Sequence, residues 1–117
     1  KLDISFLSKL NLDDARRWLT SIEGIGPKTA SVLLSFSFNM PAIPVDTHIH
    51  RVSKRLNLIT KKTSTEDAHY ILEKLVEDKN KYSFHVLLIN HGRKKCHSRN
   101  PKCEECSLKK ICHYKKL

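Results

Sequence analysis

The chain has 117 residues, of which 39% are hydrophobic and 29% charged, with 3 Gly and 4 Pro. That composition excludes disordered, collagen-like and low-complexity classes and fits one domain or part of a two-lobed one, small enough that a structural metal would matter to its stability. Lys and Arg number 22 against 12 Asp and Glu, a formal charge of +10, and residues 91–117 hold nine of the basic but two of the acidic residues, a balance that suits a polyanionic partner or, more plainly, a solvated face.

The first helical pattern follows Asn11 or Asp13 and runs to about Thr20, with Leu12, Ala15 and Leu19 at spacings of three and four. Glu23-Gly24-Ile25-Gly26-Pro27 breaks it, and Pro27 suits the first turn of the next helix because its missing N–H would be unpaired there anyway. That helix, predicted over 28–38, carries so many apolar positions that it is expected to be buried on most sides. Residues 29–45 form the longest uncharged run, but Ser35, Ser37, Asn39, Pro41 and Pro44 interrupt it, so no membrane span is expected. No signal peptide is recognisable and the chain starts at Lys1 without Met, which points to part of a longer polypeptide.

Pro41 and Pro44 keep the following loop extended. Asp46 stands at an N-cap position, ahead of a helix whose apolar stripe is Ile49, Val52 and Leu56. A further helix is predicted over 65–78 from Ala68, Ile71, Leu72, Leu75 and Val76, and a last one over 82–91, ended by Gly92. The chain therefore reads as all-α, in three parts: 1–45, 46–92, and a cysteine-rich basic tail over 93–117.

All four cysteines lie in that tail, Cys96, Cys103, Cys106 and Cys112, in a C-x6-C-x2-C-x5-C spacing. Clustered cysteines without a secretion signal favour metal over disulfides, and the spacing alone leaves a structural zinc and a 4Fe-4S cluster in balance. His97 and His113 could substitute as ligands, though four thiolates make surface roles the simpler expectation. A metal-tied loop would hold Lys102, flanked by Arg93, Lys94, Lys95 and Arg99, in a fixed geometry for phosphate contacts.

Gly24-Ile25-Gly26 between two helices most simply makes a tight connection. Its functional use would be to bring backbone N–H groups at a helix N-terminus to a phosphate. Lys28 falls in that helix's first turn, where a cation is unfavourable and the neutral amine is the nucleophilic form. Asp46, read by itself, is a helix cap.

The stretch 22–52, from Ile-Glu-Gly-Ile-Gly-Pro-Lys-Thr-Ala through Pro-Val-Asp-Thr-His-Ile-His-Arg-Val, resembles the helix-hairpin-helix and Gly/Pro-Asp loop of the endonuclease III family of DNA glycosylases. His91-Gly92-Arg93 and the cysteine spacing follow in that family's order. The resemblance implies the helix-hairpin-helix DNA glycosylase fold, a 4Fe-4S cluster on the four cysteines, and double-stranded DNA with a damaged base or an abasic site as partner. It implies Lys28 as nucleophile and Asp46 as the essential aspartate of a bifunctional glycosylase and abasic-site lyase acting on damaged pyrimidines, located inside the cell with its DNA. With the hairpin and the basic tail read as above, the expected DNA contacts are Gly24, Ile25, Gly26, Lys28, Arg93, Lys94, Lys95, Arg99 and Lys102. Relatives run to about twice this length, within the usual range of domain sizes, so a non-catalytic DNA-binding fragment or module is the alternative. His50 departs from the family, which tends to carry Phe there, and partial burial with one ring nitrogen hydrogen-bonded is its expected role.

Overall fold

The computed structural model describes residues 3–112 and Tyr114. Within them lie five α-helices and no strand: α1 (Leu12–Thr20), α2 (Pro27–Phe36), α3 (Thr47–Arg55), α4 (Thr65–Leu75) and α5 (Lys81–Lys94), with short 3-10 turns at Ser5–Lys9, Asp78–Asn80 and Cys103–Glu105. The starts follow local chemistry. Asn11, Asp46 and Ser64 each accept a hydrogen bond from the backbone N–H three residues on, at 2.8, 2.8 and 3.0 Å, which satisfies a donor the helix itself leaves unpaired. Gly26 precedes α2 and Pro27 opens it.

Three ends differ from the sequence expectation. The second helix stops at Phe36 rather than 38, because Asn39 turns left-handed at φ 53° and Phe38 packs back on the core. Helix α4 stops at Leu75 rather than 78, since Val76 goes extended and joins the core beneath. Gly92 does not end α5, which continues to Lys94. It is instead a contact glycine: a Cβ there would lie 2.9 Å from the Cβ of His48 and 3.1 Å from Arg51 Nη2, so the missing side chain is what lets α5 lie against α3.

Two hydrophobic clusters fill the interior of a molecule measuring 52 × 26 × 23 Å. The first joins Leu7, Ala15, Leu19, Ala30, Leu34 and Ala42, so it holds the first 3-10 turn, α1 and α2 together. The second joins Ile43, Val45, Ile49, Ile59, Ala68 and Leu72, with Phe84, Leu88 and Ile89 of α5 packed against it. The chain passes from one to the other between Ala42 and Ile43. Arg16 ties the two across that passage: it is 2% exposed, donates to Ser31 Oγ at 3.3 Å, pairs with Glu73, and lies 5.1 Å from the Tyr70 ring centroid. Glu73 also accepts the Ile43 N–H at 3.0 Å. A buried guanidinium is tolerable only with such a partner.

Candidate functional site

Residues 21–26 connect α1 to α2 through backbone bonds from Ile22 to the Leu19 carbonyl and from Ile25 to the Ile22 carbonyl. Gly24 sits at φ +92°, a conformation that disfavours any side chain, and Ile25 anchors the turn on the first core cluster. Gly24 and Gly26 are exposed, and a Cβ at either would meet nothing within 4 Å. The glycines thus leave open space beside the start of α2, where N–H groups without helical partners and the helix dipole favour an anion.

Lys28, the second residue of α2, is exposed. Among the described residues it has no hydrogen-bond or ion-pair partner. At helical spacing, Lys28, Val32 and Phe36 fall on one face, and Val32 and Phe36 are both exposed. Phe36 meets the rings of Tyr82 and His85 edge-on, with centroids 6.0 and 5.6 Å away. The face that begins with Lys28 therefore ends against α5.

Asp46 is half-buried, and its Oδ1 is occupied by the Ile49 N–H, leaving Oδ2 free for other work. His85 Nδ1 donates to the carbonyl of Pro44 at 3.2 Å, two residues before Asp46. Burial holds the His85 pKa below its ordinary value, although the Pro44 hydrogen bond and the Asp46 charge oppose this. No hydrogen bond or ion pair joins Lys28 to Asp46 among the described residues; what links them is the Phe36, His85 and Pro44 chain of contacts.

At the far end of α3, two arginines grip the cysteine loop. Arg51 donates from Nε to the Cys96 carbonyl at 3.1 Å and from Nη2 to the Gly92 carbonyl at 2.9 Å. Arg55 donates to Cys96 Sγ at 3.2 Å and to the carbonyls of His97 and Ser98 at 2.7 and 3.1 Å, and it stacks over Tyr114 at 4.2 Å. Cys96, Cys103, Cys106 and Cys112 are all half-buried free thiols. The Leu108 N–H and His91 Nε2 each lie 3.4 Å from Cys106 Sγ.

Four free thiols, two of them, Cys96 and Cys106, approached by N–H donors, are a donor set that fits a thiolate-ligated iron-sulfur cluster. Among the described residues no group of three or more His, Cys, Asp or Glu side chains is arranged to hold a metal ion, so the identity of the cofactor rests on that donor set and on kinship. Cys96, Cys103, Cys106 and Cys112 would hold it, and it would supply a structural staple for the loop. His97 contributes its carbonyl to Arg55 rather than its ring to the thiols, and His113 lies outside the described residues. His50 is half-buried with Nε2 donating to the Thr63 carbonyl at 2.8 Å, as expected.

Of the five basic residues expected along the tail, Arg93, Lys94, Arg99 and Lys102 are exposed and without ion-pair partners among the described residues. Lys95 is drawn to Glu105 at 3.2 Å. Arg16, Arg51, Arg55, His69, Glu73 and His85 were not singled out from sequence, because the partners that tie them to other elements lie 15 to 57 positions away. The one local signal was the His69 and Glu73 spacing of four on a helix. No helix among the described residues is long and apolar enough to cross a membrane.

Residues 7–78 match the family model for HhH-GPD superfamily base excision DNA repair proteins, and residues 96–112 match that for the iron-sulfur binding domain of endonuclease III. Endonuclease III of Sulfolobus acidocaldarius is 37% identical over 112 residues, covering 96% of this chain and 50% of the relative. That of Escherichia coli is 40% identical over 100 residues, covering 86% and 47%. Among solved structures, a trapped endonuclease III–DNA covalent intermediate superposes with a TM-score of 0.76 at 37% identity, covering 84% of this chain and 46% of the other. A thermostable thymine-DNA glycosylase gives 0.67 at 26%, covering 85% and 47%. The chain spans about half the length of the curated relatives it matches.

Proposed function

The chain belongs to the HhH-GPD superfamily of base excision DNA repair proteins, and from that premise we propose that it carries the Lys/Asp pair, hairpin and iron-sulfur loop of a bifunctional DNA glycosylase and abasic-site lyase acting on damaged pyrimidines. The supporting observation is the exposed Lys28 at the start of α2, without a partner among the described residues, on the face that leads through Phe36 and His85 to the segment presenting Asp46. In this reading the damaged nucleotide is extruded from the duplex. The Lys28 amine attacks C1′, the glycosidic bond breaks, and its electron pair leaves with the base, which takes up a proton. Ring opening then gives a Schiff base between C1′ and Nζ. Loss of a C2′ proton expels the 3′ phosphate by β-elimination and cuts the strand. Asp46 Oδ2 stabilises positive charge on the sugar and assists proton transfer at the amine.

The Gly24-Ile25-Gly26 turn would take a backbone phosphate through the amides of Gly24 and Gly26, the Ile25 N–H being bonded to the Ile22 carbonyl. Arg93, Lys94, Arg99 and Lys102, with Lys95 once freed from Glu105, would contact others. We read 1–45 as the end of a helical lobe with the hairpin, 46–92 as the cluster-bearing lobe and 93–117 as the cluster loop and basic tail, in a protein that works inside the cell with its DNA. The span of half the relatives' length favours one second reading, a DNA-binding piece without catalysis of its own.

Borohydride reduction on a duplex with one abasic site separates the two. A covalent adduct that Lys28→Gln abolishes supports catalysis. Salt-dependent binding with no adduct supports the binding module.

A further inference from the structure

The segment leading to Asp46 is unusual in how its backbone is satisfied. Ile43, Pro44 and Val45 are buried and extended, without a strand beside them, so their polar groups need partners from elsewhere. Side chains provide them on two sides. From α4, Glu73 accepts the Ile43 N–H at 3.0 Å and His69 Nε2 accepts the Val45 N–H at 3.0 Å. Those two residues are one helical turn apart, which matches the two-residue repeat along an extended chain. Pro44 between them has no N–H to satisfy, and its carbonyl takes the His85 donor from α5. Helices α4 and α5 thus replace the neighbouring strand that the segment lacks.

We propose that His69, with Glu73, is a positioning residue for Asp46: the pair fixes the 43–45 segment so that Asp46 enters α3 in one orientation. The tautomer is determined. His69 Nδ1–H donates to the Thr65 carbonyl at 2.8 Å, so Nε2 must present its lone pair to Val45. Glu73 is held in turn by the buried Arg16, which sits in the first core cluster's helix. The orientation of Asp46 therefore depends on contacts from α1, α4 and α5, none of which is a hydrogen bond to the carboxylate itself among the described residues.

The functional weight of this rests on Asp46 having the role proposed above, but its test needs no DNA, so the two stand or fall separately. In the full 117-residue chain, amide hydrogen exchange is measured at Ile49, whose N–H binds Asp46 Oδ1, and at Leu34 in the other cluster, for wild type, His69→Leu and His69→Gln. His69→Leu removes the acceptor; Gln can present an oxygen near the Nε2 position. The expected result is that the ratio of Ile49 to Leu34 exchange rates rises about tenfold in His69→Leu and returns to within about threefold of wild type in His69→Gln. An unchanged ratio in His69→Leu, which includes equal acceleration at both amides, overturns the proposal, as does a raised ratio that Gln does not restore.

Discussion

Replacing Glu73 by Leu removes one carboxylate that serves two groups. Arg16, 2% exposed, loses its buried anion while its Nε and Nη1 have no hydrogen bond among the described residues and Nη1 keeps only the exposed Asp13 carboxylate at 3.9 Å, and the buried Ile43 N–H loses its acceptor. Breaking a buried ion pair from one side costs about 3–5 kcal/mol, and an orphaned buried amide adds about 1–3 kcal/mol. The Ser31 hydroxyl and the Tyr70 face remain to the guanidinium, so the expected loss is about 4 kcal/mol, a large part of a domain's usual ~5–15 kcal/mol. Arg16→Met alone leaves Glu73 with the Ile43 N–H and should cost about 3 kcal/mol. The double variant Arg16→Met/Glu73→Leu leaves no unpaired charge, so it is expected to be at least ~2 kcal/mol more stable than the sum of the single losses predicts. Urea unfolding followed by far-ultraviolet circular dichroism, at equal cluster content, measures all four proteins. Single losses below about 1 kcal/mol, or strict additivity, would show that Arg16 and Glu73 do not bind the two core clusters together.

Stability should fall on acidification. His69 and His85 are held below the ordinary imidazole pKa, each mainly by burial, so their contribution is complete above about pH 6.5 and is lost as pH falls below it. The unfolded chain then binds protons the folded one refuses, at up to ~1.4 kcal/mol per pH unit per histidine; a smaller fall in melting temperature from pH 7 to 5 in His69→Gln/His85→Gln than in wild type is the expected result, the remainder belonging to His91, which burial also holds low. Gly92→Ala places a methyl 2.9 Å from the Cβ of His48, an overpacking cost of about 1–3 kcal/mol that exceeds the helix-propensity gain, and should shorten the lifetime of the visible cluster absorbance. Asp46→Asn keeps a cap while Asp46→Ala loses about 1 kcal/mol, yet both should abolish lyase activity; activity retained in Asn would reduce Asp46 to a cap.

Much of the fold was legible because its signals are local. Asn11, Pro27 and Asp46 mark helix starts by side-chain chemistry within three residues, and apolar spacing gave the helical faces. Gly92 misled because a glycine near a helix end serves equally as a stop or as a contact, and only the position of His48, 44 residues earlier, distinguishes them. The cysteines, Lys28 and Asp46 stood out by residue type and order. What holds the cysteine loop and the Asp46 segment did not: Arg51, Arg55, His69, Glu73 and His85 act on groups brought near by packing α3, α4 and α5 together, and apart from the spacing of four between His69 and Glu73 their sequence neighbours carry no trace of it. Nor did the sequence reveal that Lys95 is drawn to Glu105 while Arg93, Lys94, Arg99 and Lys102 have no ion-pair partner among the described residues.

The central claim is that Lys28 is the nucleophile, and the most direct measurement is mass-spectrometric mapping of the borohydride-stabilised adduct on abasic duplex DNA. A chain with 16 lysines offers many amines to an aldehyde, so the site of attachment decides more than the yield. The deoxyribose remnant is predicted on the peptide containing Lys28. An adduct carried by a tail lysine, with Lys28 unmodified, would contradict the account.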